Sequence, residues 1–159
     1  MDLEIREAER KDIPEILSFI KKLAEFEKLY VAVSADEKTL EESLFGNGKV
    51  AHALLAYHQN NTVAFAVYFF NFSTFRGRKG LYLEDIFVLP EMRGKGFGKK
   101  ILKHLAGIAL ENNCGRFEWA VLDWNEPAKK FYEKLGAEQM DDWRIYRLNE
   151  DGINNLAEQ

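Results

Sequence analysis

The sequence predicts a mixed α/β fold, and three observations lead to it. Apolar residues recur at helical spacing through the N-terminal third. Runs rich in β-branched and aromatic residues fill the middle, and a glycine-rich turn then opens a further helix with more strand and helix patterns behind it. The expected order is β-α-α-β-β-β-α-β-α-β, in a mostly antiparallel mixed sheet. At 159 residues with 47% hydrophobic content, the chain can bury one core of ordinary size and is short for two, so residues 1–159 are expected to form a single domain.

Leu3 and Ile5 mark a short first strand. Asp12-Ile13-Pro14-Glu15 reads as a capping box with proline in the first turn, and Ile16, Leu17, Phe19, Ile20, Leu23 and Ala24 supply the apolar face of the helix it starts. A loop from Phe26 to Val33 leads to a second capping signal, Ser34-Ala35-Asp36-Glu37, and a shorter helix ending near Gly46. Residues 50–58 and 62–72 are strand-like, and the Gln59-Asn60-Asn61 between them is turn chemistry, so they form a hairpin. The polar connection 73–80 returns the chain as a third antiparallel strand over 81–89. Ile101, Leu102, Leu105, Ile108 and Ala109 form the stripe of the next helix, which should stop between Asn112 and Gly115. A strand over 116–124 follows. Asn125-Glu126-Pro127 then opens a helix that Gly136 closes, and Trp143–Leu148 reads as the last strand.

Composition narrows the function classes. A net charge of −4 argues against a general nucleic-acid binder, which carries a basic face. No apolar run reaches the roughly 20 residues of a membrane span, and the acidic, amphipathic start lacks the basic flank and apolar block of a signal peptide; a soluble, cytoplasmic protein is expected. The single cysteine, Cys114, excludes an internal disulfide framework, and His52, His58 and His104 have no partner at metal-ligand spacing, so no metal is expected.

The chemistry concentrates in residues 81–105. A strand that runs through glycines into a helix start is a way to bind phosphate, because bare main-chain amides and the positive end of the helix dipole face the anion. Gly94, Gly96 and Gly98 stand at the first, third and fifth positions, whereas a dinucleotide fingerprint needs the first, third and sixth. A P-loop needs Ser or Thr after Gly98-Lys99, where this chain has Lys100. What remains is Arg93-Gly94-Lys95-Gly96-Phe97-Gly98, flanked by Lys99, Lys100 and Lys103: either a pyrophosphate cradle with cations to neutralise it, or a glycine turn beside a solvated basic face. Glu84 and Asp85 interrupt the preceding apolar strand. Alternation sends them to opposite faces, and a carboxylate in mid-strand is either paired or functional.

The Arg-x-x-Gly-x-Gly pattern after a strand that ends in a proline-containing turn resembles the acetyl-CoA signature of the GCN5-related N-acetyltransferases. Residues 81–98 and 122–137 are similar to the spermidine/spermine (diamine) acetyltransferases and their thialysine-acetylating relatives. The resemblance implies a splayed pair of central strands, acetyl-CoA as co-substrate, a small-molecule amine as acceptor and a homodimer. It implies that Glu84 meets the amine and serves as base, and that Tyr132 is the general acid to the departing thiolate; by spacing alone Tyr132 is a core aromatic. The implied cofactor residues are the main chain of Ile86, Phe87 and Val88, the turn Arg93, Gly94, Lys95, Gly96, Phe97, Gly98 and Lys99, and, further on, Asn125, Pro127, Ala128 and Lys134. Asn125 also reads as a helix cap, and Lys99 and Lys134 also read as surface charges. The implied substrate residues are Phe26, Glu27, Glu84, Asp85, Trp119 and Trp143. Where polyamine-specific members carry an aspartate and a tryptophan, this chain has Ser73 and Phe75, which looks instead like the thialysine branch with its lysine-like amino acids and small diamines. Two other readings stay open: acetylation of protein or peptide amines, and a non-catalytic acetyl-CoA-binding module.

Overall fold

The computed structural model describes residues 2–159. One open mixed sheet has the order β1 (Glu4–Glu7), β2 (His52–His58), β3 (Asn61–Ser73), β4 (Arg78–Val88), β5 (Phe117–Trp119). The first four strands pair antiparallel in succession, and β5 joins β4 in parallel. The helices are α1 (Ile13–Phe26), α2 (Glu37–Phe45), α3 (Phe97–Glu111), α4 (Glu126–Lys134) and α5 (Glu150–Ala157). The chain divides into two compact units, Met1–Ala120 and Val121–Gln159. The sheet and α1 to α3 belong to the first; α4 and α5 belong to the second. Among the described residues no helix is long and apolar enough to cross a membrane.

Local chemistry sets the elements. Gln59 and Asn60 both have positive φ, 50° and 64°, so β2 and β3 are joined by a two-residue turn of the mirror-image type that matches sheet twist. At α2 the Asp36 carboxylate accepts from the Thr39 N–H at 2.8 Å while the Thr39 hydroxyl accepts from the Asp36 N–H at 3.0 Å, a reciprocal cap. The cap expected at Asp12 is different. Its carboxylate turns back to the Glu9 N–H at 2.7 Å and to Arg6 at 2.9 Å, closing a single 3-10 turn over Arg10–Asp12 instead of capping α1. The carboxylate is nearly buried, and the Arg6 pairing makes that burial tolerable.

Ile16, Phe19 and Leu23 of α1 and Leu44 of α2 pack on Ala53, Leu55, Phe65 and Phe87 of the sheet, with the Phe19 and Phe65 rings stacked at 5.4 Å. Phe97, Ile101, Leu102 and Leu105 of α3 are buried as well. On β1, Arg6 turns to Asp12 at the start of α1, while Ile5 and Glu7 border Lys103, Gly107 and Ile108 of α3, so the helices cover opposite faces. Each such large side chain contributes about 1.5–3 kcal/mol by leaving water.

The sequence expectations fail at two strands. The strand expected over 116–124 is cut to Phe117–Trp119, and the last strand expected over Trp143–Leu148 does not form. Trp143, Ile145 and Tyr146 are 73%, 78% and 94% exposed. An alternating pattern supplies side chains for a strand but not a backbone partner. Here the hydrogen bonds go into local turns, from the Trp143 N–H to the Met140 carbonyl and from Arg144 to the carbonyls of Asp141 and Trp143. An unforeseen helix, α5, follows, capped by Asn149, whose side chain accepts from the Gly152 N–H at 2.9 Å.

Candidate active site

The centre of β4 departs from regular alternation. Val67 pairs with Asp85 and Tyr68 with Leu83, so Glu84 is an extra residue in a β-bulge. Phe65, Val67 and Phe69 share one face of β3, and their partners Phe87, Asp85 and Tyr82 share it too. Glu84 lies two residues beyond Tyr82 and joins that face. The expectation that Glu84 and Asp85 point to opposite faces is therefore overturned, because the inserted residue resets the alternation and brings both carboxylates to the α1 side. The sequence carries the signal: the apolar series Leu81, Leu83 resumes at Ile86, Val88, a shift of phase across the two acids.

The electrostatics follow from this convergence. Asp85 is pushed up to about 6, first by burial, then by the charges of Glu84 and Glu27. Glu27 is also raised, by burial. It follows the last residue of α1, where the Glu27 N–H bonds the Leu23 carbonyl at 2.9 Å, the Leu29 N–H bonds the Ala24 carbonyl at 2.8 Å, and Lys28 adopts a left-handed conformation with φ 61°. Three carboxylates thus gather between the end of α1 and the bulge of β4. A cation placed among them relieves their mutual repulsion.

The bulge also ends the parallel pairing. β5 runs beside β4 only from Leu81–Phe117 to Leu83–Trp119. The next residue of β4 is Glu84, and the added twist of a bulge carries the strand away from a neighbour whose evenly spaced bonds need a constant register. Pairing therefore stops at Leu83–Trp119, which accounts for the shortness of β5. From 84 to 88, no strand among the described residues pairs with that edge of β4. The Phe87 side chain is 4% exposed inside the core; the Leu89 N–H bonds the Val63 carbonyl, so in the alternating ladder Phe87 pairs its main chain with Phe65, while Ile86 and Val88 turn theirs to the open edge.

Beyond β4 the chain passes through a 3-10 turn, Pro90–Met92, into the glycines. Gly94 and Gly96 have φ of 77° and 81°, and apart from the adjoining residues no atom lies within 4 Å of where a Cβ would stand on either, so the space in front of the turn is open. Gly96 caps α3 with no side chain, and the first helical bond is from the Lys100 N–H to the Gly96 carbonyl at 3.2 Å. The amides of Phe97, Gly98 and Lys99 therefore have no intrahelical acceptor. The Phe97 ring is buried, so Phe97 offers its amide alone, while Lys95 and Lys99 are exposed. These features fit a diphosphate: bare amides, a helix N-terminus and exposed cations around an open cradle. Arg93 differs from its lysine neighbours. Its Nε donates to the Val88 carbonyl at 3.0 Å, and its guanidinium lies over the rings of Phe26 and Phe87 at 4.6 and 5.2 Å.

Trp119, half-buried at the end of β5, stands edge-on to Phe117. Ser73 is buried at the β3–β4 turn and its hydroxyl accepts from the Arg76 N–H at 3.3 Å, whereas Phe75 at the tip is 99% exposed. Ser73 thus shapes a turn. In the second unit, the Asn125 side chain accepts from the Ala128 N–H at 3.3 Å, so the helix-cap reading of Asn125 is realised, with Pro127 in the first turn of α4. Tyr132 is half-buried beside Phe131, their ring centroids 5.6 Å apart. Lys134 and Trp143 are exposed.

A parallel strand pairing that ends beside an uncapped glycine turn, with carboxylates gathered where it ends, is an arrangement able to take an anionic ligand and a cationic one. The model of the acetyltransferase (GNAT) family matches residues 17–137, and the chain belongs to that family; it is an N-acetyltransferase. The chain is 38% identical, over 96% of both chains, to a thialysine N-epsilon-acetyltransferase of Mus musculus. It is 32% identical to a human spermidine/spermine N(1)-acetyltransferase-like protein 1, a match covering 97% of this chain and 24% of the longer relative. A solved integron cassette protein from the mobile metagenome of V. cholerae superposes with a TM-score of 0.82 at 29% identity, covering 100% of this chain and 99% of that one.

Proposed function

We propose that the two units act as one domain that transfers acetyl from acetyl-CoA to a primary amine of a small molecule. The observation that carries this reading is the bulge at Glu84, which collects the carboxylates on one face where β5 leaves β4. The unpaired edge at Ile86 and Val88 would hold the extended arm of the co-substrate as an added strand, and the amides of residues 94–99 would hold its diphosphate. Asp85 and Glu27 would hold the ammonium form of the acceptor. A lysine-type amine has a pKa of about 10.4 and attacks only when neutral. Glu84, exposed on the same face, is assigned to take that proton directly or through one water, freeing the nitrogen lone pair to attack the thioester carbonyl. Collapse of the adduct breaks the carbon–sulfur bond, and Tyr132 is assigned to protonate the departing thiolate, on the strength of the motif that contains it. Asn125, Pro127, Ala128 and Lys134 are assigned to the co-substrate, and Trp119 and Trp143 to the amine, on the same ground.

The relatives and Ser73 support the choice of acceptor class. A long polyamine gains from carboxylates spaced along its length, and the β3–β4 turn offers a buried serine where such an anion would be useful. Lysine-like amino acids and short diamines suit a single anionic cluster. A homodimer in the cytoplasm, with no nucleic-acid or membrane partner, completes the proposal. Thiol release from acetyl-CoA should be measured with thialysine, lysine, diamines, polyamines and lysine peptides. Turnover of the small amines supports the reading; turnover of peptides alone overturns it in favour of a peptide acetyltransferase, and binding of acetyl-CoA without any turnover overturns it in favour of a non-catalytic module.

A further inference from the structure

Arg93 and Phe26 join two places that the proposed reaction must fill in concert. Arg93 immediately precedes Gly94, so its main chain is part of the glycine turn. Its guanidinium is not left with that turn. It is held against the end of β4 through the Val88 carbonyl and is laid over Phe87, a core residue, and Phe26, the last residue of α1. Phe26 and Phe87 also meet directly, ring centroids 6.1 Å apart. The residue after Phe26 is Glu27, whose charge reaches Asp85. The sequence of contacts is therefore turn, guanidinium, ring, helix end, carboxylate. Phe87 is 4% exposed within the core, whereas Phe26 is 38% exposed, so of the two rings Phe26 is the one that borders the site. The α1 end it belongs to closes on a left-handed, non-glycine Lys28, a conformation that costs on the order of 1 kcal/mol and is held only by its surroundings.

We propose that Arg93 and Phe26 are positioning residues that couple the two substrate sites, so that filling the glycine turn with a diphosphate orders Phe26 and Glu27 and tightens binding of the amine. The inference rests on the function proposed above. A guanidinium over an aromatic ring is attracted to its face, and one further desolvated by a ligand alongside is attracted more strongly. A diphosphate on the amides of the turn fixes the backbone that carries Arg93. Its side chain, already pinned at Val88, then holds Phe26 in one position. By linkage the effect is reciprocal: a bound amine tightens the hold on the diphosphate by the same factor.

The test is calorimetric binding on the intact protein, with coenzyme A as probe of the turn and the fastest amine of the turnover panel as the second ligand, each titrated alone and in the presence of the other. The native protein is expected to bind the amine about five-fold or more tightly when coenzyme A is saturating. In Phe26→Leu that ratio should fall to about one, while Phe26→Tyr, which keeps a ring under the guanidinium, should restore it. Loss of a merely structural residue would weaken each ligand alone and leave the ratio untouched, and that result overturns the proposal. Independent binding of the two ligands by the native protein overturns it as well, and leaves the acetyltransferase reading standing. Failure of the native protein to bind coenzyme A at all would instead overturn that reading, and the coupling with it.

Discussion

In the proposed reaction the glycine turn acts through its main chain, while the bulge of β4 acts through its side chains. Gly94 and Gly96 bring nothing but conformation: their positive φ values turn successive amides into open space, and their lack of a Cβ keeps that space open. Glu84 and Asp85 bring charge, and the backbone's part is to place the two on one face by inserting a residue. The difference teaches how each region should fail. The bulge should lose chemistry when a carboxylate becomes an amide of the same shape. The turn should tolerate changes of side-chain chemistry and fail when a side chain is added.

The sharpest way to break this comparison is Glu84→Gln. It keeps the shape and removes the proposed base, and is expected to lower kcat by about 100-fold or more with little change in the acetyl-CoA KM; steady-state kinetics at saturating co-substrate checks it. Tyr132→Phe should lower kcat by about ten-fold, with the loss shrinking for thioesters whose thiol is more acidic and needs no proton donor; unchanged turnover removes Tyr132 from the reaction. Gly96→Ala should act in the opposite manner, leaving kcat near native while raising the acetyl-CoA KM by about five- to thirty-fold, since a left-handed L-residue costs about 1–2 kcal/mol and the new methyl enters the cradle. Lys95→Met should do far less there, because the amides carry the site.

The smallest expected effect sharpens the comparison from the side of stability. Asp85 is pushed up to about 6 from an ordinary 3.8, so between those values the native chain binds more protons than the unfolded one. Stability should therefore fall as pH rises from about 4 to about 6 and stay level above it. The full shift corresponds to at most about 3 kcal/mol, scaled down by the solvent that reaches the half-buried group. Asp85→Asn should flatten that stretch of the curve and raise the melting temperature at pH 8 by a few degrees. The same variant should weaken amine binding, which a gain in stability alone would not do.

Much of this is legible in the sequence alone. The Arg-x-x-Gly-x-Gly spacing encodes a backbone conformation directly, so both the turn and α3 could be read from it. The hairpin at Gln59-Asn60 and the cap at Asp36 were equally local. What stayed hidden depends on partners. Strict alternation separated Glu84 from Asp85; the phase shift from Leu83 to Ile86 signals an insertion, and the pairing of Val67 and Tyr68 with Asp85 and Leu83 assigns it to Glu84. The shortening of β5 follows from the same insertion in its neighbour. Trp143 to Leu148 carries the side-chain rhythm of a strand, yet a strand is a property of two segments and no period in one of them supplies the second. Arg93 was legible as a cation; its seat over Phe26 and Phe87 was not, because Phe26 is distant in the sequence.

The unpaired stretch of β4 has a further consequence, for how the protein behaves before it meets its co-substrate. A strand edge able to accept one extended ligand can equally template another polypeptide, the hazard that leads sheet proteins toward clumping. Glu84 and Asp85 sit at the start of that edge, and their like charges, repeated on every copy, repel any identical strand that approaches in register. The acids assigned to catalysis would then also act as gatekeepers of solubility, and replacing both with neutral residues should yield a protein that precipitates when empty and stays clear when saturated with coenzyme A.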